Sequence, residues 1–214
     1  LWQCARSTEK KQLIKIAQQE STKKTFLSKG LKVKAQQQLI VTGSFDNKHS
    51  LLLDNQFYQH KVGFDVLVPV TTNNGKTLLV DRGWVPAMPT HKDVPQILPI
   101  INQETLKGRA YFPSDKSWVL NSQLDNAGAW PLIIEKVDFK YLESLLKVKL
   151  YPFILRLSQD SSGSFVRDWR VVTMSPAKHI GYAVQWFAMA LAAIIIYLVL
   201  NLERSSNASK QKTH

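Results

Sequence analysis

The stretch that most limits what this chain can become lies near its end: KHIGYAVQWFAMALAAIIIYLVLN, Lys178–Asn201, with no charge between Ile180 and Leu200. At 1.5 Å per residue that run spans about 31 Å, the thickness of a bilayer's hydrocarbon core. A helix buried in a soluble protein rarely stays uncharged on every side for so long, so the run predicts a transmembrane helix. Lys178 before it and Glu203–Arg204 after it mark the wet ends, and Trp186 and Phe187 lie two turns in. A pure anchor could be built from Leu, Ile and Val alone. Here His179 opens the run, and Gln185 and Trp186 sit inside it.

The remainder, residues 1–179, is long enough for one domain with a core, and the slightly negative mean hydropathy of the chain assigns most of it to water. The net charge of +12 raises a nucleic-acid reading. The lysines are scattered, however, and there is no RNA-binding signature and no Cys/His finger. The expected partner of the basic surface is therefore not nucleic acid but anionic membrane lipid or an acidic protein face, with a plain solvated surface an equal explanation for most of the lysines. Cys4 stands alone, which removes an internal disulfide, a CxxC redox pair and a thiolate copper site. Five histidines occur, none at the spacing of a zinc hydrolase, and no nucleophile elbow, phosphate loop or dinucleotide fingerprint is present. The expectation is a protein that is not an enzyme.

Along the chain, Leu13, Ile16 and Ala17 recur at helical spacing within residues 1–20. The opening Leu1-Trp2 followed by Arg6 and Lys10–Lys11 reads as the exit of a preceding transmembrane helix, a cleaved signal peptide being the competing explanation. From Val33 the period becomes two. Strands are predicted at Val33–Ala35, Leu39–Phe45, Ser50–Tyr58, Gly63–Val70 and Lys76–Val85, and again at 104–112, 116–121, 131–137 and 151–158. Asn73-Asn74-Gly75-Lys76 predicts a type I′ hairpin. Four prolines make 86–103 a loop, and Phe139, Leu142, Leu145 and Leu146 share one face of a short helix. The fold class is α+β: an antiparallel β-rich extramembrane domain with one or two packing helices, inserted between two transmembrane helices, the first largely missing from this chain. The divisions are 1–20 for the end of the first span and its extension, 21–178 for the β-rich domain, 179–201 for the transmembrane helix and 202–214 for a polar cytoplasmic tail.

Two motifs carry a resemblance. LLVDRGWVP (Leu78–Pro86) follows VGFDVLVPV and the Asn-Gly turn, and Trp169…Pro176…HIGYAVQWF (His179–Phe187) leads into the membrane. With the opening LWQCAR, this order resembles the surfeit locus protein one (Shy) family of cytochrome c oxidase assembly factors over essentially the whole chain. The resemblance implies two spans flanking a domain on the periplasmic or intermembrane-space side. It further implies support for insertion of haem a, a transient cargo, into oxidase subunit I, with haem A synthase a further partner. By position, the haem-iron ligand is His179. Compact loops and a short chain favour a bacterial inner-membrane protein with a periplasmic domain over a mitochondrial one. The rival reading is a membrane scaffold that stabilises a subunit I intermediate without touching haem.

Helical geometry adds detail beside the family. At 100° per residue, His179, Tyr182, Ala183, Trp186, Ala190 and Ala193 fall within about 60° of one direction. That face offers an axial imidazole, aromatic walls and small residues, which suit a flat porphyrin; simple interfacial anchoring is the plainer account of the same aromatics. The other face carries Gly181, Gln185, Ala188 and Ala192, small enough to admit a partner helix that Gln185 can hydrogen-bond. For Arg82-Gly83-Trp84 a structural role leads: a bulge at Gly83 and a packed Trp84 ahead of Pro86. The same strand is the scaffold reading's docking element, and Arg82 or Arg170 is the candidate guanidinium for haem propionates.

Overall fold

The computed structural model describes residues 2–20, 24–88, 94–101, 104–113, 130–161, 165–169 and 176–210. The chain divides into two compact units, Leu1–Lys15 with Arg170–His214, and Ile16–Trp169. In chain order the elements are α1 (Trp2–Glu20), β1 (Thr25–Phe26), β2 (Gln38–Phe45), β3 (Leu51–Tyr58), β4 (Lys61–Thr72), β5 (Thr77–Pro86), β6 (Glu104–Tyr111), β7 (Leu132–Ile134), α2 (Phe139–Leu146), β8 (Leu150–Leu157) and α3 (Pro176–Lys210). α3 contains a candidate membrane span, Ala177–Asn201, in which only His179 and Ala183 are buried. An apolar helix of this length with so little protein cover among the described residues fits a membrane-associated protein.

Five strands of the larger unit close on themselves in the order β2-β6-β8-β5-β4, because β2 pairs β6 over most of its length and β4 at its end, from Gly43 to Phe45. β3 and β7 extend the sheet beyond β4, and β1 lies beside β2. Antiparallel pairing dominates as expected, with parallel pairs at β1–β2, β3–β7 and β5–β8. The pleat sorts the apolar residues. Leu78 and Val80 of β5 join one buried cluster with Val41, Val70, Leu106 and Leu155, whereas Leu79 between them turns to a second with Leu67, Leu142 and Ile154 under α2. β4 and β5 are thus covered on both faces, and their sequences read as near-continuous hydrophobic runs.

Local chemistry explains where the expected elements shift. Val33–Ala35 forms no strand: Gln36 adopts φ 65° and the Gln37 side chain takes the Lys34 N–H at 2.9 Å, while Val33 still packs on the barrel core. The strand expected over 131–137 shrinks to β7, because Asp138 already caps α2 by accepting the Tyr141 N–H at 3.1 Å. The strand expected at 116–121 lies outside the described residues. The Asn73–Lys76 hairpin is not type I′, since positive φ is confined to Gly75 (74°). Gly75 N–H bonds Thr72 O at 2.9 Å and Thr72 N–H bonds Lys76 O at 3.1 Å, which makes a three-residue loop ending in a left-handed glycine. Two successive positive φ values occur instead at Gln59 (47°) and His60 (66°), the two-residue link between Tyr58 and Lys61.

The RGW bulge is real. Asp65 pairs Trp84 and Leu67 pairs Asp81, so β5 spends one residue more than β4 across this step. Gly83 adopts φ 123°, and a Cβ there would meet Val166 O at 2.7 Å and Phe165 Cβ at 2.9 Å. The space is needed because residues 165–167 lie across the bulge, with Trp84 N–H bonded to Val166 O (2.8 Å) and Val166 N–H returned to Trp84 O (3.2 Å). Gly83→Ala should therefore lower thermal stability by more than about 2 kcal/mol through strain and clash together, read as a drop in unfolding midpoint of the detergent-solubilised chain.

Beside the bulge two carboxylates are buried. Asp81 accepts the Gly83 N–H at 3.1 Å and has the Arg156 Nε 3.6 Å away; Arg156 stacks 3.6 Å above the Tyr111 ring. Burial raises the Asp81 carboxyl well above its ordinary value, and the charge of Asp65 adds to the rise. Burial raises Asp65 to about 6, against the pull of Arg156. A folded-state value above the unfolded one means that Asp65 favours folding most at low pH, and that this contribution is lost as pH rises through about 6. Asp65→Asn, which never ionises, should accordingly gain in unfolding midpoint relative to the parent as pH climbs from about 4 to 7. A constant difference across that range would contradict the buried charge.

Candidate functional site

The small unit pairs the first helix with the last. His179, one turn into α3, is 8 % exposed, and Ser7 of α1 and Ala183 of α3 are buried as well. The Nδ1 of His179 lies 2.8 Å from the side-chain oxygen of Gln3. An amide oxygen only accepts, so Nδ1 is the donor in this contact, and in a neutral imidazole so held the lone pair is on Nε2. Arg6 forms an ion pair with Glu9 at 2.7 Å and stacks over Trp2. Arg6 is the main reason the Glu9 carboxyl lies below its usual range, with smaller help from Lys10.

Around the histidine the helix is open. Tyr182 is 48 % exposed and Trp186 is 64 % exposed; Ala190 and Ala193, further along, are exposed too. The face expected to hold one ligand together is thus divided: His179 and Ala183 are buried, while the aromatics are free to meet one. Gly181, Gln185, Ala188 and Ala192 are all exposed, and beyond the helix's own backbone a Cβ placed on Gly181 would meet no atom of the described residues within 4 Å. Among the described residues that small-residue stripe is bare.

A haem fits this donor set better than a bare metal ion does. Among the described residues no three His, Cys, Asp or Glu side chains converge. A porphyrin brings four nitrogens of its own and asks the protein for an axial imidazole, apolar surface and aromatic flanks, all of which the start of α3 supplies.

Arg82 does not offer its guanidinium to a ligand at the surface. It is 2 % exposed, donates from Nη1 to Leu98 O at 2.8 Å and stacks over Phe165. Its Nε is a buried donor without a partner, and burial chiefly, with Arg167 adding, lowers its ordinary value to about 10. Gly83 and Trp84 are buried beside it, and the Trp84 indole N–H donates to Gln56 O at 3.1 Å. The RGW strand is therefore internal architecture, and its use as a docking edge or a propionate clamp finds no exposed group to work with. Arg170 lies outside the described residues. Trp169, the first residue of the motif that leads towards α3, bonds Leu157 O at 2.6 Å and packs by Arg156 in the β unit.

Two residues escaped the sequence analysis. Gln3 sits in the opening LWQCAR without a pattern that separates it from any helix glutamine. Arg167 is one cation among many in a basic chain, yet it bonds three carbonyls: Arg82 O (2.9 Å), Ser158 O (3.0 Å) and Ser161 O (2.6 Å).

A family model described as SURF1 family matches residues 1–191, which takes in α1, the whole β unit and α3 as far as Leu191. No curated protein matches the chain. Given the burial of Arg82 and its bond to Leu98 O, Arg82→Met should lower the unfolding midpoint of the detergent-solubilised chain. An unchanged midpoint would contradict an internal role for this side chain.

Proposed function

This chain belongs to the SURF1 family of cytochrome oxidase assembly factors, and from that premise we propose that it binds haem a and delivers it to oxidase subunit I. The observation that carries the proposal is His179, a buried imidazole at the mouth of the apolar helix whose Nδ1 is engaged by Gln3, so that a neutral ring would coordinate through Nε2. Tyr182 and Trp186 flank the ring, and the apolar length of α3 accommodates the hydrophobic tail and edge of the cargo at the membrane boundary. One protein ligand of moderate strength suits a donor, because transfer then needs only exchange of that ligand for one in the recipient.

The rest of the molecule serves the encounter. Gly181, Gln185, Ala188 and Ala192 offer a helix of the oxidase, or of haem A synthase, a surface of close approach and one amide for a hydrogen bond. The domain is periplasmic in a bacterial inner membrane, and its lysines meet anionic lipid or an acidic face of the recipient. The bare small-residue stripe also favours a second reading, a scaffold that holds subunit I by helix packing without haem.

The two readings separate on one variant. Produced with haem a biosynthesis active, the parent should purify with a Soret band and His179→Ala should lose it, while co-purification with subunit I persists. An unchanged haem content in His179→Ala would end the ligand assignment and leave the scaffold.

A further inference from the structure

We propose that Gln3 is the positioning residue of the haem ligand: its side-chain carbonyl holds the Nδ1 proton of His179 and thereby fixes Nε2 as the coordinating atom and sets how tightly it coordinates. This rests on the reading of His179 as the ligand. Neutral imidazole has one proton and two nitrogens, and the nitrogen that meets a metal is decided by the hydrogen bond the other one makes. Here that bond runs from α3 to α1 over 2.8 Å, and the histidine is almost wholly withdrawn from solvent, so water is a poor substitute for the amide.

The identity of the acceptor matters as much as its presence. A carboxylate at this place would pull the proton harder, make the imidazole more basic and strengthen its bond to iron. An apolar side chain would leave the ring free to turn and the ligand weak. A neutral amide lies between these limits, which matches a protein that must hold a porphyrin and then part with it. Glu9 does not take the role, because its carboxylate is already bound by Arg6 at 2.7 Å. Lys10 and Lys178, the neighbouring cations in sequence, are donors and cannot accept the Nδ1 proton.

The test uses the full chain, co-produced with haem a and purified in detergent, as parent, Gln3→Glu, Gln3→Leu and His179→Ala. Two quantities are read: the iron–histidine stretching frequency of the ferrous form by resonance Raman, and the rate of haem loss to an excess of apomyoglobin. Gln3→Glu should raise the frequency and slow the loss. Gln3→Leu should lower the frequency and speed the loss by roughly 10-fold or more, the usual cost of removing an outer partner from a metal ligand. If Gln3→Leu does not accumulate, the shift in the isosteric Gln3→Glu decides alone. Frequencies and rates equal to the parent's in the Gln3 variants, with haem absent from His179→Ala, would reduce Gln3 to helix packing and overturn the proposal. Haem retained by His179→Ala would instead remove the ligand assignment, and the role of Gln3 with it.

Discussion

The β unit depends on what one glycine lets pass. At Gly83 the fifth strand bulges, and the absent side chain leaves a channel through which residues 165–167 cross and pair with Trp84. Arg167 then ties this crossing to the carbonyls of Arg82, Ser158 and Ser161, so the segment that leads out of the barrel is bound to its central strand and to the turn before it. Asp81 supports the same corner by taking the Gly83 N–H, and Arg156 lies between Asp81 and the rings of Tyr111 and Trp169. Charges so deep in a small barrel add little to net stability and cost a good deal if orphaned. Their use here is to hold one path for the chain where an apolar core would tolerate several.

That arrangement explains the prominence of the RGW motif. The sequence favours a structural role for it, a bulge at Gly83 and a packed Trp84, with docking or a propionate clamp as the functional alternative. In the structure each is consumed internally: Arg82 by Leu98 and Phe165, Gly83 by the crossing segment, Trp84 by Gln56. The membrane helix shows the reverse. Its stripe of Gly181, Gln185, Ala188 and Ala192, read in the sequence as a face for a partner helix, is exposed among the described residues.

Period and turn chemistry made β2 to β6, β8, both short helices and the apolar span legible from the residues alone, because each is governed by neighbours within a few positions. What stayed hidden depends on distance along the chain. Closure of the barrel through Gly43, the parallel union of β5 with β8 and the burial of Arg82 are decided by segments tens of residues away. The hairpin at Gly75 shows the same limit on a small scale: Asn-Gly permits a type I′ turn, but the register with which β4 meets β5 selects a longer loop. At the candidate site His179 could be singled out because it interrupts an apolar run. Gln3 could not, since its importance exists only through a contact with a residue 176 positions later.

That separation orders events in time. At ordinary rates of synthesis, about 5–20 residues per second, His179 emerges roughly 10–35 s after Gln3. The whole β barrel is translated in the interval. The Gln3 amide has no His179 to accept from until then, and the two halves of the pair meet only when the last helix arrives. A chain cut short anywhere in the barrel lacks His179, so the contact between the first and last helices is the last to be made, and only molecules whose barrel has been translated can make it.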